Sequence, residues 1–343
     1  MRVWLPSIRS NSGADVFVER LAVLLARAGC EPVVTWHPMS YEVFPWLFRT
    51  VPSPKDIDLI HANSWNAFVF SGRGIPLVAT AHHCVRGRGY PAWKGRSQAL
   101  YHDLWISRFE AHSFQLANAV VSGSASAAAE FSESFGLSQR IEVIGHWLDT
   151  EHFRPLDLQF NERPRVLWVG NMSLRKGCDL LPGFRRCLDA SIELHIVGGL
   201  RAQASRMKEL GSSVKVWPRL SELDLLNLYR KCDVTVSLSR HEGFGYTALE
   251  AMACGRPVVA FNVTGLRDVV ADGLTGILRP CGDLPGIAAA CKELIGDPAR
   301  ARAMGLAGRE RAEQHFSAAR AADRYVQVYQ SAIAAFQRRT NVH

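Results

Sequence analysis

The sequence predicts an α/β protein of two units in tandem, each a parallel sheet with helices between its strands. Three observations predict it. Short apolar runs of strand length alternate with segments of helical period. The alternation halts at a polar stretch, residues 151–163, which contains Pro155 and ends before Pro164, and then begins afresh. A chain of 343 residues with 48% hydrophobic content can fill two cores of ordinary size.

Residues 2–8 read as a first strand, followed by a loop through Ser10-Asn11-Ser12-Gly13 and a helix whose apolar positions Val16, Leu21, Leu24 and Leu25 recur at helical spacing until Gly29 stops it. Residues 32–36, 57–61 and 76–81 are three further strands, each short, apolar and ending in small or polar residues. Residues 99–117 read as one long helix, and 119–122 and 140–144 as two more strands. The stretch 151–163 is the linker. Beyond it, residues 165–170, 193–198, 214–217, 232–237, 257–260 and 276–278 supply a second set of strands. Residues 318–336 form a terminal helix with Ala322, Tyr325, Val326, Tyr329 and Ile333 near one face. The expected division is 1–155, 156–317, and a C-terminal helix in 318–343 packing back toward the first domain. Such alternation places the functional site at the carboxyl edge of each sheet.

Composition removes several classes. Lys and Arg total 40 against 32 Asp and Glu, and most of the excess lies late: residues 1–155 carry 14 basic and 13 acidic side chains, residues 156–343 carry 26 and 19. An anion site in the second half fits that balance. Eight cysteines without a CxxC pair or a histidine cluster make neither a disulfide framework nor a zinc site, so a reducing compartment and no metal are expected. The opening Met1-Arg2-Val3-Trp4-Leu5-Pro6 is too short for a signal peptide, and no window approaches the roughly 18 apolar residues of a membrane span. A cytoplasmic location is expected.

The richest segment runs from Ser239 through Glu242, Gly243, Phe244, Gly245, Tyr246, Thr247 and Glu250 to Pro257. It leaves a strand and enters a helix, so the amides after Glu242 meet a helix N-terminus, where unpaired N–H groups receive an anion. Gly243 and Gly245 allow close backbone approach. Glu250, eight residues after Glu242, can accept hydrogen bonds from vicinal hydroxyls such as those of a ribose. Read singly, Glu242 is a helix cap and Glu250 a solvated glutamate. The run Gly170-Asn171-Met172-Ser173-Leu174-Arg175-Lys176-Gly177 follows the first strand of the second set, and a lysine beside a glycine there can reach phosphate.

Glu242, seven intervening residues and Glu250, inside EGFGYTALEAMACGRPVV, resemble the signature of the retaining glycosyltransferases of family 4 (glycosyl transferases group 1). The likeness continues through Gly265-Leu266-Arg267-Asp268, Asp272-Gly273-Leu274-Thr275-Gly276 and Gly282-Asp283. The resemblance implies a GT-B fold, two facing Rossmann-like domains with an interdomain cleft. It implies a hexose moved from a UDP- or GDP-sugar to a hydroxyl of a saccharide acceptor in bacterial glycan or polysaccharide assembly. The nucleotide sugar is then substrate, with no cofactor and no metal required. Glu242 would face the donor sugar or its phosphates, Glu250 the ribose, and Lys176 the diphosphate, with Gly243, Phe244, Gly245, Tyr246 and Thr247 lining the donor site. Asn171 stands where the family has an arginine, which removes a positive charge; either Arg175 compensates or Lys176 acts with the helix dipole. Gly13, in Ser12-Gly13-Ala14, matches a small turn near the donor phosphates. His82 matches a position that contacts the donor sugar, and adjacent His83 one that is often acidic. His146 and Trp147 replace an asparagine and a glycine of the interdomain segment, and read equally as a pocket wall or as a packed linker.

No acid in the first half presents itself as a nucleophile, so front-side transfer is expected. The main rivals are a sugar-nucleotide epimerase of the same two-domain fold and a catalytically weak carbohydrate-binding protein. A dehydrogenase is disfavoured, because no GxGxxG follows the first strand. Between Arg86 and Phe109 the basic residues Arg86, Arg88, Lys94, Arg96 and Arg108 interleave with Tyr90, Trp93, Tyr101, Trp105 and Phe109, against the single acid Asp103. A second aromatic group holds Trp36, Tyr41, Phe44, Trp46 and Phe48. Cations and rings together suit an anionic membrane surface, hence a lipid-linked acceptor and peripheral association with the inner face of the membrane. In the competing reading, Tyr101, Trp105 and Phe109, four residues apart, form the buried face of a helix. Nucleic acid is not an expected partner, since no recognition motif accompanies the charge.

Overall fold

The computed structural model describes residues 1–10, 13–87, 100–156, 161–198 and 211–340. The chain divides into two compact units, Met1–Gly145 with Ala318–His343, and His146–Ser317. Residues 146–155, assigned by their sequence to the first domain, group with the second unit. The cause is long-range: Arg309 donates to the carbonyls of Thr150 and Phe153, both at 2.6 Å, and Leu148 N–H donates to Phe316 O at 3.0 Å.

The first unit holds β1 (Arg2–Ile8), β2 (Glu31–His37), β3 (Leu59–Asn63), β4 (Leu77–Ala81), β5 (Ala119–Ser122) and β6 (Ile141–Val143). They lie in the order β2-β1-β3-β4-β5-β6 with every pairing parallel. All residues of β3 and β4 are buried, as strands covered on both faces must be. The second unit repeats the plan with β7 (Arg165–Val169), β8 (Glu193–Val197), β9 (Val214–Trp217), β10 (Val234–Ser237), β11 (Val258–Phe261) and β12 (Gly276–Arg279). Its order is β12-β11-β10-β7-β8-β9, again all parallel. Trp4, Phe70, Phe114 and Phe131 centre the first core, and Trp168, Phe184, Tyr229 and Phe261 the second. These two parallel α/β units match the GT-B architecture.

Three local expectations shift. The third strand begins at Leu59 and not at Ile57, because pairing with β1 starts at Val3 opposite Leu59. The helix read over 99–117 is present over residues 100–116 and carries one wide π-helical turn, His102–Ile106, ahead of Ser107–Leu116, where Ser107 Oγ donates to His102 O at 2.8 Å. Trp105 is 41% exposed, so Tyr101, Trp105 and Phe109 do not form a buried face. The terminal helix runs Ala318–Thr340 and turns Ala322, Tyr325, Val328, Tyr329 and Ala332 inward. It is tied to the first sheet by Tyr329, whose hydroxyl lies 2.6 Å from His61 Nδ1, while His61 Nε2 lies 2.5 Å from Thr80 Oγ1.

Strand order also locates the sites. From β7 the chain passes to β8 on one side, whereas β10 lies on the other, so a crevice opens beyond the carboxyl ends of β7 and β10. In the first sheet the same reversal falls at β1, between β2 and β3.

Candidate active site

In the second unit, the loops leaving β7 and β10 meet. Ser173 caps a single 3₁₀ turn, Leu174–Lys176, and Gly177 ends it with φ 73°. Only glycine fits there, since a Cβ would lie 2.2 Å from Leu238 O, in the loop after β10. That close approach carries Arg175 and Lys176 to Glu242. Lys176 Nζ donates to Glu242 Oε1, Arg175 donates to Glu242 Oε2 and to His241 O, both at 3.1 Å, and Ser239 Oγ donates to Glu242 Oε1 at 2.8 Å. Gly265, φ 80°, backs the segment, because a Cβ there would lie 2.7 Å from both Glu242 O and Phe244 N.

The electrostatics follow from this crowding. Burial alone would raise the Glu242 carboxyl, but the charges of Lys176 and Arg175 and the hydrogen bonds from Lys176 and Ser239 overrule it and hold it down at about 2. Burial pulls the Lys176 ammonium below its ordinary value, Arg175 pulls the same way, and the Glu242 and Glu250 carboxylates oppose it. Lys176 and Arg175 thus converge on the one Glu242 carboxylate, with Glu250 acting on Lys176 through its charge.

Gly245, φ 112°, opens the Tyr246–Ala253 helix. Glu250, 7% exposed, accepts a hydrogen bond from Tyr229 at 3.0 Å. Phe244, expected to line the donor site, is 4% exposed in the second core, so its ring is structural and only its backbone remains for a ligand. Its neighbour Tyr246 stacks on His146, with centroids 5.0 Å apart and planes at 4°. His146 and Trp147 are both buried, which supports the packed-linker alternative. Asn171 is exposed and accepts from Ser173 Oγ at 3.1 Å.

In the first unit, His82 follows β4 half-buried. Its Nε2 lies 2.7 Å from Asn63 Oδ1, at the end of β3. A carboxamide oxygen only accepts, so Nε2 carries the proton. Phe17 packs edge-on against the ring at 4.9 Å, and burial pushes the imidazole down to about 4. His83 packs against Trp65. Among the described residues nothing lies within 4 Å of where a Cβ at Gly13 would stand, and Asp15 accepts from Ser10 N and Oγ. Ser12 lies outside the described residues, as do Arg88, Tyr90, Trp93, Lys94 and Arg96. Among the described residues, no group of three or more His, Cys, Asp or Glu is placed to hold a metal ion, and no helix is long and apolar enough to cross a membrane.

Comparison with known proteins decides the family. The profile described as "Glycosyl transferases group 1" matches residues 163–297, and that described as "Glycosyltransferase Family 4" matches residues 35–152. D-inositol 3-phosphate glycosyltransferase 1 of Catenulispora acidiphila is 31% identical over 318 residues, 82% of this chain and 74% of that one. The chain belongs to glycosyltransferase family 4. Among solved structures, sucrose-phosphate synthase from Thermosynechococcus elongatus superposes with a TM-score of 0.79 at 23% identity, covering 98% of this chain and 100% of that one. HepE from Anabaena, in complex with UDP-glucose, gives 0.75 at 18% identity, covering 96% of this chain and 100% of that one. Both likenesses concern the fold.

For this glycosyltransferase, the structure brings Arg175, Lys176 and Glu242 within hydrogen-bonding distance and sets Glu250 on the adjoining helix. Ser239, Asp179, Arg240 and Asn63 were not singled out from the sequence. Ser239 and Arg240 lie in the signature segment, and their nearness to Glu242 was a usable signal. Asn63 acts on a residue 19 positions away, and only the pairing of β3 with β4 makes them neighbours.

Proposed function

We propose that the protein is a retaining hexosyltransferase that takes its sugar from a UDP- or GDP-hexose and delivers it to a hydroxyl of a saccharide acceptor. The observation carrying this reading is the convergence of Lys176 and Arg175 on Glu242 at the switch point of the second sheet. When the C1–O bond to the diphosphate breaks, negative charge grows on the leaving phosphate, and preorganised cations stabilise that transition state. Lys176 and Arg175 take the diphosphate, with Arg175 supplying the charge absent at Asn171. Gly243, Gly245, Tyr246 and Thr247 offer backbone amides, Glu250 takes the ribose, Glu242 orients the donor, and His82 contacts the sugar as a neutral imidazole. The acceptor oxygen bonds to C1 on the face the phosphate leaves, and its proton passes to the leaving phosphate oxygen.

The test is turnover of a panel of UDP- and GDP-hexoses with saccharide acceptors, read by proton NMR. Transfer with the donor's anomeric configuration preserved is expected. An inverted product, or an altered donor sugar released without transfer, would sink the reading.

The acceptor is lipid-linked and the enzyme works against the cytoplasmic face of an anionic membrane. Support comes from exposed apolar side chains in two neighbouring segments of the first unit, Met39, Val43, Phe44 and Trp46 in one, Leu104 and Trp105 in the other. Burial, and with it the charge of Glu42 in the first segment, raises the Tyr101 phenol to about 12. Exposed rings and aliphatics of this kind suit a headgroup boundary. Sedimentation with liposomes of graded anionic-lipid content is the test: the parent should pellet and a Phe44→Ser, Trp46→Ser, Trp105→Ser variant should not. Equal, negligible pelleting of both would leave a saccharide acceptor free of lipid.

A further inference from the structure

Lys176 and Arg175 sit on one 3₁₀ turn, and such a turn has too few hydrogen bonds of its own to hold two long cationic side chains in place. What fixes it comes from the other loop. The Arg240 guanidinium, 5% exposed, ties the start of this turn to the next one, Cys178–Leu180: one NH group donates to Leu174 O at 2.6 Å and to Asp179 Oδ1 at 2.7 Å, and the other donates to Asp179 Oδ2 at 2.8 Å. The Arg240 backbone N–H donates to Arg175 O at 2.8 Å. Arg240 therefore binds the residue before the cation pair, Asp179 three residues after it, and the backbone of the pair itself.

Its position within its own segment gives the grip a purpose. Ser239 on one side donates to Glu242, and His241 on the other accepts from Arg175. The segment that carries the acid thus also carries the clamp on the cations. We infer that Arg240 is a positioning residue which, through its bidentate pair with Asp179 and its bond to Leu174 O, sets Arg175 and Lys176 at the height where they receive a diphosphate. It does not touch the donor; its charge is engaged by Asp179, whose carboxyl is held below the ordinary range first by the hydrogen bonds from Arg240. A lysine cannot reproduce the planar fork that reaches both Asp179 oxygens and Leu174 O.

This inference rests on the donor reading above, and its test separates the two. Calorimetry compares UDP with uridine, and GDP with guanosine, on the parent, Arg240→Ala, Arg240→Lys and Asp179→Asn. Hydrogen exchange follows the Lys176 and Gly177 amides, which bond to Ser173 O and Leu174 O. Arg240→Ala should bind the nucleoside diphosphate about tenfold more weakly while the nucleoside binds as before, since misplaced cations lose only the phosphate contacts. Those two amides should lose protection. Asp179→Asn should do the same to a smaller degree, Arg240→Lys should recover only part of the affinity, and the Arg240→Ala, Asp179→Asn double variant should be no weaker than Arg240→Ala alone. Equal loss of diphosphate and nucleoside binding would mark a merely structural residue and overturn the proposal. So would unchanged diphosphate affinity with unchanged amide protection. Failure of the parent to bind any nucleoside diphosphate would instead overturn the donor reading itself.

Discussion

At the carboxyl edge of the first sheet, His82 is neutral, donates to the Asn63 carboxamide and packs against Phe17 and Trp65. At the same edge of the second, Glu242 meets the basic side chains of Lys176 and Arg175. On the proposed reading, two units with one topology serve different electrostatic tasks. A leaving diphosphate needs fixed cations, whereas a sugar hydroxyl near the reacting carbon needs directional neutral groups that do not compete for those cations.

The largest break in that contrast is expected at Lys176. Lys176→Ala should lower turnover by on the order of 100-fold in steady-state transfer assays, if the ammonium stabilises charge developing in the transition state. Unchanged turnover would remove it from the site. Arg175→Ala sharpens the comparison, because the arginine has to make good the charge absent at Asn171. A loss of about tenfold, growing smaller as ionic strength rises, is expected from the same kinetics. A full effect at high salt would point to a packing role.

In the first unit the corresponding change is Asn63→Asp, which places a carboxylate beside a neutral imidazole. The added charge favours the imidazolium, so the His82 ionisation should climb from about 4 toward neutrality, as an NMR titration of the ring would read. His61, close enough for its charge state to couple with that of His82, is the titratable neighbour to follow alongside it. Activity of the variant should fall as pH drops through the new value, while the parent shows no such step. A ring titration that stays put would mean that Asn63 does not orient His82.

The smallest effect concerns stability. Glu242 has its folded-state ionisation depressed from 4.5 to about 2. Its contribution is therefore fully present above about pH 4.5 and is lost as pH falls toward 2. Thermal denaturation at pH 6 and at pH 3 should show a smaller drop in Glu242→Gln than in the parent. An equal drop would assign the acid sensitivity to other carboxylates.

Much of this was legible in the sequence, and several of the exceptions share a cause. The strands of both sheets announce themselves as apolar runs, and Arg175, Lys176 and Glu242 stand in local motifs whose spacing carries the chemistry. Phe244 lies inside the motif yet turns its ring into the core, so only its backbone is left to meet a ligand. The π turn at His102–Ile106 is a local widening of the helix, whereas the Asn63 to His82 bond and the Arg240 clamp depend on partners distant in sequence, which periodicity does not report. The boundary at residue 145 escaped for the same reason, since Arg309, 159 residues beyond Thr150, draws that segment into the second unit.

The central claim is that the cation turn of the second unit receives the diphosphate of a nucleotide sugar. Calorimetric titration of the parent and of Lys176→Ala with UDP and with GDP tests it most directly. One of the two should bind the parent and bind the variant at least about tenfold more weakly. Binding of neither to the parent, or equal affinity for parent and variant, would contradict the account.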